Sequence, residues 1–142
     1  MRKWVIALLL SLILAACSAP AGTPQPAPTV IPPAAGTGIL SGQIALSSGM
    51  WEESPLYVYA AAFYGDEQNR GFYMLDPTRD PAAEVGTDGL FELRDLKPQK
   101  YVLVVGPTAE QGKLVAADDD QPRVFEVLAD QVVQAGSLTL AK

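Results

Sequence analysis

The sequence predicts an all-β protein: an antiparallel β-sandwich of seven or eight strands, preceded by a signal peptide and a disordered tether. From residue 38 onward, apolar and aromatic residues alternate with polar ones in short runs, which is the period of a strand. Clusters of Gly, Pro, Asp and Asn separate these runs, as turns require. Nowhere does the chain sustain the 3.6-residue period of an amphipathic helix.

Residues 1–16 have the pattern of a lipoprotein signal peptide. Two basic residues precede an apolar run at 4–14, whose length of about eleven residues is too short for a ~30 Å hydrocarbon core. The run ends in Leu14, Ala15, Ala16 and Cys17. This ending resembles the lipobox of bacterial lipoproteins. The resemblance implies cleavage before the cysteine, a diacylglyceryl group on its thiol and a fatty-acyl chain, such as palmitate, on the new amino terminus.

Cys17 determines the predicted location. Two or three acyl chains hold a domain at a membrane far more firmly than one, so we expect an extracytoplasmic protein anchored to the bacterial membrane. Ser18 is not the aspartate that resembles a retention signal for the inner membrane, which favours the outer membrane if the cell has one. The alternatives are an ordinary secretory signal that happens to carry a cysteine, or an uncleaved anchor. Cys17 is also the only cysteine, so no intramolecular disulfide can form.

Residues 17–37 comprise the expected lipidated cysteine and a linker rich in Pro, Ala and Thr. Such a segment has little to bury and favours disorder with polyproline II character. At ~3.1 Å per residue it would hold the domain up to ~60 Å from the membrane. The alternative interpretation, a proline-rich ligand for an aromatic groove, is not needed to explain the composition.

The predicted domain occupies residues 38–142 and opens with a strand at 39–46. An aromatic hairpin follows, in which 56–64 and 72–75 flank a polar loop. Residues 76–81 are irregular because their prolines cannot donate to a β-ladder. The remaining predicted strands are a short one at 83–87, two within the turn–strand–turn–strand segment 88–105, and those at 113–117, 123–128 and 132–140. The link after Gly106-Pro107 has room for one helical turn.

Residues 87–103 carry a motif that reads Thr87-Asp88-Gly89-x-Phe91-x-Leu93-x-x-Leu96-x-Pro98-x-x-Tyr101-x-Leu103. Together with the opening strand it resembles the carboxypeptidase regulatory-like family, a β-sandwich of prealbumin (transthyretin-like) type. The resemblance covers about residues 38–140. It implies a tight turn at Asp88-Gly89, a reversal at Pro98 and a corner tyrosine, Tyr101, whose hydroxyl bonds nearby backbone. Gln99 stands where the family commonly has glycine, which favours a type I turn.

All of these motif residues are scaffold, so the resemblance implies a fold and no catalytic residue. The whole sequence contains no histidine, which excludes His-based acid–base catalysis, Ser-His-Asp or Cys-His nucleophiles and His-ligated metals. The formal net charge is −6, and loss of the two basic residues with the signal peptide makes it about −8. Nucleic acid is therefore not an expected partner, since phosphate binding needs clustered Lys and Arg.

The run Asp118, Asp119 and Asp120 is a weak candidate for a hard cation such as calcium. No glycine and distal glutamate follow at EF-hand spacing, and charge runs are usually solvated loops. We therefore expect no metal and no cofactor. A pair of catalytic carboxylates is also not expected in so small a sandwich, so the sequence predicts a protein that is not an enzyme.

An aromatic cluster is the candidate binding surface. In the first hairpin strand Val58 and Ala60 share one face while the tyrosines at 57 and 59 share the other. The candidate surface residues are Trp51, Tyr57, Tyr59, Tyr64 and Tyr73. Their rings would form a stacking platform for a sugar or a protein partner. The alternative is that they pack between the sheets or under the hairpin loop.

These observations predict a lipid-anchored, non-enzymatic β-sandwich that acts as a binding or assembly module on an envelope protein partner. The alternative is a lipoprotein that binds carbohydrate or another small ligand as an accessory to a transporter or hydrolase.

Overall fold

The computed structural model describes residues 31–45, 55–117 and 121–140. Throughout these ranges the secondary structure is β, with turns and no helix, and no helix there is long and apolar enough to cross a membrane. Residues 31–142 belong to one compact unit. The nine strands are β1 (Gly38–Ile44), β2 (Tyr57–Gly65), β3 (Gly71–Met74), β4 (Ala82–Glu84), β5 (Leu90–Leu96), β6 (Gln99–Gly106), β7 (Lys113–Leu114), β8 (Val124–Val127) and β9 (Val132–Leu138).

The strands form two sheets, so the predicted all-β sandwich is confirmed. The smaller sheet has the order β5-β1-β9, and the larger runs β3-β2-β6-β7, with β4 also on β2 and β8 also on β6. The described residues form nine strands, against the seven or eight predicted, and the strands predicted at 83–87 and 113–117 are present as two very short ones, β4 and β7.

One strand pair departs from the predicted antiparallel arrangement. β9 lies parallel to β1, in a register that runs from Ile39 opposite Val132 to Ile44 opposite Leu138. The other strand pairs of the described segments are antiparallel. Antiparallel pairing follows from short hairpin connections, but β1 and β9 are separated by nearly the whole domain, so no short turn fixes their relative direction.

The core lies between the sheets and is built from alternate residues of each strand. In β5, Phe91 and Leu93 are buried while Glu92 and Arg94 between them are exposed. Strand β6 is buried throughout from Tyr101 to Gly106, as expected for a central strand covered on both faces. Each fully buried Leu, Ile or Val stabilises the fold by roughly 1.5–3 kcal/mol. The core cluster consists of Leu40, Ile44, Leu56, Val58, Ala60, Val85, Phe91, Leu93, Leu96, Tyr101, Leu103, Val105, Val115, Phe125, Val127, Ala135 and Leu138.

The predicted turn at Asp88-Gly89 is present and connects β4 to β5. Gly89 has φ +81°, and a Cβ at this position would lie 2.5 Å from the carbonyl oxygen of Ile44. The Oδ1 atom of Asp88 accepts a hydrogen bond from the backbone N–H of Leu90 at 3.1 Å. Glycine is therefore required here both by backbone conformation and by the close approach of β1.

Tyr101 occupies the predicted corner between β5 and β6. Its side chain is 2% exposed, and its hydroxyl donates a hydrogen bond of 3.0 Å to the backbone carbonyl of Lys97. The ring thus belongs to the core while the hydroxyl fixes the two-residue loop that contains Pro98. This confirms the expected role of the tyrosine.

Part of the predicted linker is attached to the domain. The backbone N–H of Gly36 donates to the carboxylate Oδ1 of Asp130 at 2.8 Å, and the N–H of Asp130 donates to the carbonyl of Thr37 at 2.7 Å. Asp130, with φ +59°, forms the predicted turn between β8 and β9. The link after β6 has turns at 107–112 and no helical turn.

Candidate functional site

The β2–β3 hairpin is the element on which the candidate site is built. Its register pairs Phe63 with Tyr73 and Tyr64 with Phe72, which confirms the predicted aromatic hairpin. Directly opposite residues in an antiparallel pair project from the same face of the sheet. The hairpin therefore presents one ring pair on each of its two faces.

Asp66 holds the hairpin loop in a defined conformation. Its Oδ1 atom accepts hydrogen bonds from the backbone N–H groups of Gln68 and Arg70, both at 2.9 Å. Its Oδ2 atom accepts one from Arg70 Nε at 2.8 Å. The backbone N–H of Arg70 is the largest cause of a lowered pKa for this carboxyl. Lys100 Nζ donates to the Asn69 side-chain oxygen at 2.9 Å and so ties the loop to β6.

The larger sheet is apolar on the face opposite the core as well as on the core face. Val102 lies between the core residues Tyr101 and Leu103 in β6, so its side chain projects from the other face. It pairs with Ala61 on one side and Val124 on the other, and both Ala61 and Val102 are 0% exposed. We call this side the outer face. Phe63 and Tyr73 belong to it because they continue the same alternation.

A cleft of about 890 Å³ lies at the hairpin end of the outer face. Phe63, Tyr73 and Val124 contribute aromatic and aliphatic surface to its wall. Ala117 and Gln121 also line the cleft, and the backbone N–H of Ala117 donates a hydrogen bond of 2.7 Å to the carbonyl oxygen of Gln121. The polar lining residues are Gln68, Asn69, Arg70, Gln121 and Arg123.

The polar lining supplies amide and guanidinium groups. Arg70 is held by Asp66, and the guanidinium carbon of Arg123 lies 5.1 Å from the ring centroid of Phe125. Amides both donate and accept hydrogen bonds, and guanidinium groups donate several. An apolar aromatic wall with a few fixed polar groups around it is the usual composition of a small-ligand site.

The opposite face of the hairpin carries an exposed apolar patch. The rings of Tyr64 and Phe72 are stacked, with centroids 5.5 Å apart and an interplanar angle of 25°. Tyr64 is 50% exposed, and Phe72 and Met74 are each 61% exposed. We call these three residues the hairpin patch.

The structure does not bring the predicted surface residues together. Tyr73 lines the cleft, and Tyr64 lies on the other face. Tyr57 and Tyr59 are half-buried neighbours with ring centroids 6.3 Å apart. Burial, followed by the nearby Glu110 carboxylate, raises the pKa of Tyr59. The prediction for Trp51 lies outside the described residues.

Several cleft residues were not singled out from the sequence. Phe63 lies within the predicted hairpin strand at 56–64 but is not among the predicted surface residues, and the amides at 68, 69 and 121 look like ordinary loop residues. The sequence feature that could have identified the loop residues is the predicted hairpin itself, because its loop adjoins the aromatic pair. The position of Arg123 depends on how β8 pairs with β6, which no sequence pattern showed.

The other predicted sites lie outside the described ranges: the lipobox residues Leu14, Ala15 and Ala16, the lipidation site Cys17, and the candidate metal ligands Asp118, Asp119 and Asp120. Within 31–45, 55–117 and 121–140, no three His, Cys, Asp or Glu side chains are grouped as a metal-ion site would need.

A second cavity, also of about 890 Å³, lies beside the smaller sheet. It is lined by carboxylates and amides, including Glu84, Glu92 and Gln134, around glycine backbone. Its aromatic lining residue, Phe91, is 5% exposed and belongs to the core. This cavity thus offers polar groups without an accessible aromatic surface, and the hairpin cleft is the better candidate.

Among solved structures, the chain shows a distant likeness. No family model and no curated protein matches the chain. The crystal structure of a putative carbohydrate binding protein from Pseudomonas aeruginosa superposes with a TM-score of 0.40 at 15% identity, over 74% of this chain and 89% of that one. A likeness this distant carries no argument about function.

Proposed function

We propose that this protein is a lipid-anchored, extracytoplasmic binding module without enzymatic activity, and that its hairpin cleft binds a glycan or another small polyhydroxylated ligand. The observation that carries the proposal is the cleft itself, in which Phe63 and Tyr73 lie beside amide and guanidinium side chains. Sugars present both an apolar C–H face and many hydroxyls, so they need an aromatic surface together with hydrogen-bonding groups.

The dimensions of the cleft support this ligand class. Its volume of about 890 Å³ falls within the range of roughly 300–1,000 Å³ typical of small-ligand sites. The hydrogen bonds that Asp66 accepts and that Lys100 donates hold the hairpin loop in place before any ligand arrives. Such preorganisation reduces the ordering cost of binding.

Binding should be measured by calorimetry on the chain from Ser18 onward, against a panel of neutral and acidic oligosaccharides. Tyr73→Ala removes an aromatic side chain of the cleft, and we expect affinity to fall about tenfold, corresponding to a loss of about 1.4 kcal/mol. Tyr64→Ala is the matched control, because Tyr64 is similarly exposed but lies on the other hairpin face. The proposal would be contradicted if no oligosaccharide of the panel binds, or if the two variants lose the same affinity.

The membrane anchor depends on Cys17. Replacing Cys17 with Ala should move the protein from the membrane fraction to the soluble fraction, because the proposed acyl chains would have no attachment site. Leu14→Ala, which alters the lipobox but keeps the thiol, should slow processing without abolishing it. Retention of the Cys17→Ala variant in membranes would contradict the lipid anchor.

A protein partner is the second candidate, and the observation that favours it is the hairpin patch of Tyr64, Phe72 and Met74. Exposed apolar surface of this kind often marks an interaction site. A photo-crosslinking residue at position 72, used in the native envelope, should capture the partner. The same residue at exposed Thr87 serves as the control, and capture of nothing but lipid at position 72 would refute this candidate.

A further inference from the structure

Strand β3 is an edge strand without the usual protection against pairing. It lies at the end of the larger sheet, and all four of its residues, Gly71–Met74, are exposed. It contains no charged residue and no proline, and its register with β2 is unbroken. Proteins commonly protect such edges with charges, prolines, bulges or very short strands.

The other strands that end a sheet in the described part of the chain have such protection. β5 carries an exposed ion pair between Glu92 and Arg94. β9 is interrupted by a register shift and by Gly136 at positive φ. β7 has two residues, β4 has three and follows Pro81, and β8, which pairs only with β6, carries the exposed charge of Glu126. β3 is therefore the edge at which another strand can be added with least hindrance.

The backbone of β3 also has groups directed outward. The N–H of Asp66 donates to the carbonyl of Arg70 at 3.0 Å, so these two residues form a hydrogen-bonded pair. Such pairs alternate along an antiparallel ladder. Phe72 and Met74 therefore bond to β2, whereas the N–H and C=O groups of Gly71 and Tyr73 point away from it.

We propose that β3 pairs with β3 of a second copy of this chain, antiparallel about a two-fold axis at Tyr73. A two-fold interface brings the same surface together from both copies and closes as a dimer. The proposal stands independently of the glycan ligand and of the lipid anchor, and it names a second copy of this chain as the protein that covers Phe72 and Met74 of the hairpin patch.

Side-chain complementarity selects this register. With Tyr73 opposite Tyr73, Phe72 of each copy lies opposite Met74 of the other, and exposed apolar residues meet. Arg70 of each copy then lies opposite Asp76 of the other. A two-residue slip in one direction would place Met74 opposite Arg70, and a slip in the other would place Phe72 opposite Asp76. Each slip pairs an apolar side chain with a charge.

Arg70 and Asp76 lie at the surface, where each can share its charge between its local ion-pair partner and the residue of the second copy. The Arg70 side chain is 78% exposed and that of Asp76 is 48% exposed, each in a local ion pair at the surface. Opposite charges at the two ends of the strand complement each other only when the second strand runs antiparallel. The joined sheet would also bring the two hairpin clefts next to each other on one face, since Tyr73 lines each cleft.

Disulfide trapping in the full chain tests the dimer. In a hydrogen-bonded antiparallel pair the Cα atoms lie about 5.5 Å apart, within the 4.4–6.8 Å range that a disulfide bridges. Tyr73→Cys, in a Cys17→Ser background and oxidised with copper phenanthroline in cell lysate, should give a covalent dimer on a non-reducing gel. In this reaction the oxidant removes two electrons and two thiol protons as one S–S bond forms.

Two controls make the test specific for strand and register. Phe72→Cys should not be trapped, because a two-residue offset puts the two Cα atoms about 8 Å apart, beyond disulfide reach. Glu92→Cys, equally accessible on β5, should not be trapped either. We expect at least tenfold more dimer for position 73 than for either control. Equal yields at 73 and 92 would overturn the proposal, and stronger trapping at 72 would overturn the register.

Charge reversal supplies a second, independent test. In the Tyr73→Cys background, Arg70→Asp alone places Asp opposite Asp, and Asp76→Arg alone places Arg opposite Arg, so each variant should be trapped several-fold less. Co-expression of the two, with tags of different size, restores opposite charges at both ends and should recover the mixed dimer preferentially. If the mixture gives no more trapped dimer than the single variants, the Arg70–Asp76 contact is refuted. A trapped product at another mass would show that a different protein occupies the edge.

Discussion

Tyr101→Phe tests the corner between β5 and β6 by removing one hydroxyl and leaving the ring. The lost interaction is the 3.0 Å hydrogen bond to the Lys97 carbonyl. A typical intramolecular hydrogen bond contributes about 0.5–1.5 kcal/mol net. Because Lys97 is exposed, water can reach its carbonyl in the variant, and we expect a loss of about 1 kcal/mol. For a domain of about 100 residues this lowers Tm by about 4–8 °C.

Tyr101→Ala should cost far more, because it also removes a ring that is 2% exposed. Truncation of a buried aromatic residue costs about 3–5 kcal/mol. Urea unfolding followed by circular dichroism measures both variants, and Tyr64→Phe, at a ring that is 50% exposed, should stay within about 0.5 kcal/mol of the parent. If Tyr101→Phe unfolds like Tyr64→Phe, the hydroxyl does not fix the corner. If it unfolds like Tyr101→Ala, the loss extends beyond a single hydrogen bond.

Three further predictions follow from the turns and the buried tyrosine. Gly89→Ala should destabilise the protein more than Gly136→Ala in thermal melts. Both glycines have positive φ, but only at Gly89 would the added Cβ lie close to another atom, 2.5 Å from the carbonyl oxygen of Ile44. Equal losses of stability would show that the backbone strain of positive φ alone matters. Burial raises the pKa of Tyr101, so the unfolded chain, with a tyrosine pKa of about 10, ionises first as pH rises. Stability should therefore fall above pH ~10, and Tyr101→Phe should fall less steeply, whereas parallel pH profiles would exclude this contribution. Asp66→Ala should weaken ligand binding in the cleft. Asp66→Asn can keep the loop hydrogen bonds at Oδ1 and should retain most of the affinity. If calorimetry shows equal losses of affinity in the two variants, the effect is due to the charge of Asp66.

The turn and strand signals of the middle of the chain were enough to predict that part of the fold. Asp88-Gly89 is a local signal because only glycine easily adopts the required φ, and the alternation of Phe91 with Glu92 and Leu93 identifies the buried side of β5 directly. The resemblance to the carboxypeptidase regulatory-like family agrees with these features and stays a prediction.

The candidate site was only partly predictable, because it depends on which strands become neighbours. The sequence indicated that aromatic residues would flank the hairpin loop. It did not show that Tyr64 and Tyr73 would point to opposite faces, since a shift of one residue in register would place them on the same face. It also did not indicate Arg123, which reaches the cleft through the pairing of β8 with β6.

By itself, the sequence determined the β class, the hairpin around residues 65–71 and the turn at Asp88-Gly89, because each depends on neighbouring residues along the chain. Only the tertiary structure decided the parallel alignment of β9 with β1, the apolar outer face of the larger sheet and the exposure of the β3 edge. These features involve residues far apart in sequence, whose pairing is fixed by the burial of a common core and not by local conformational preference.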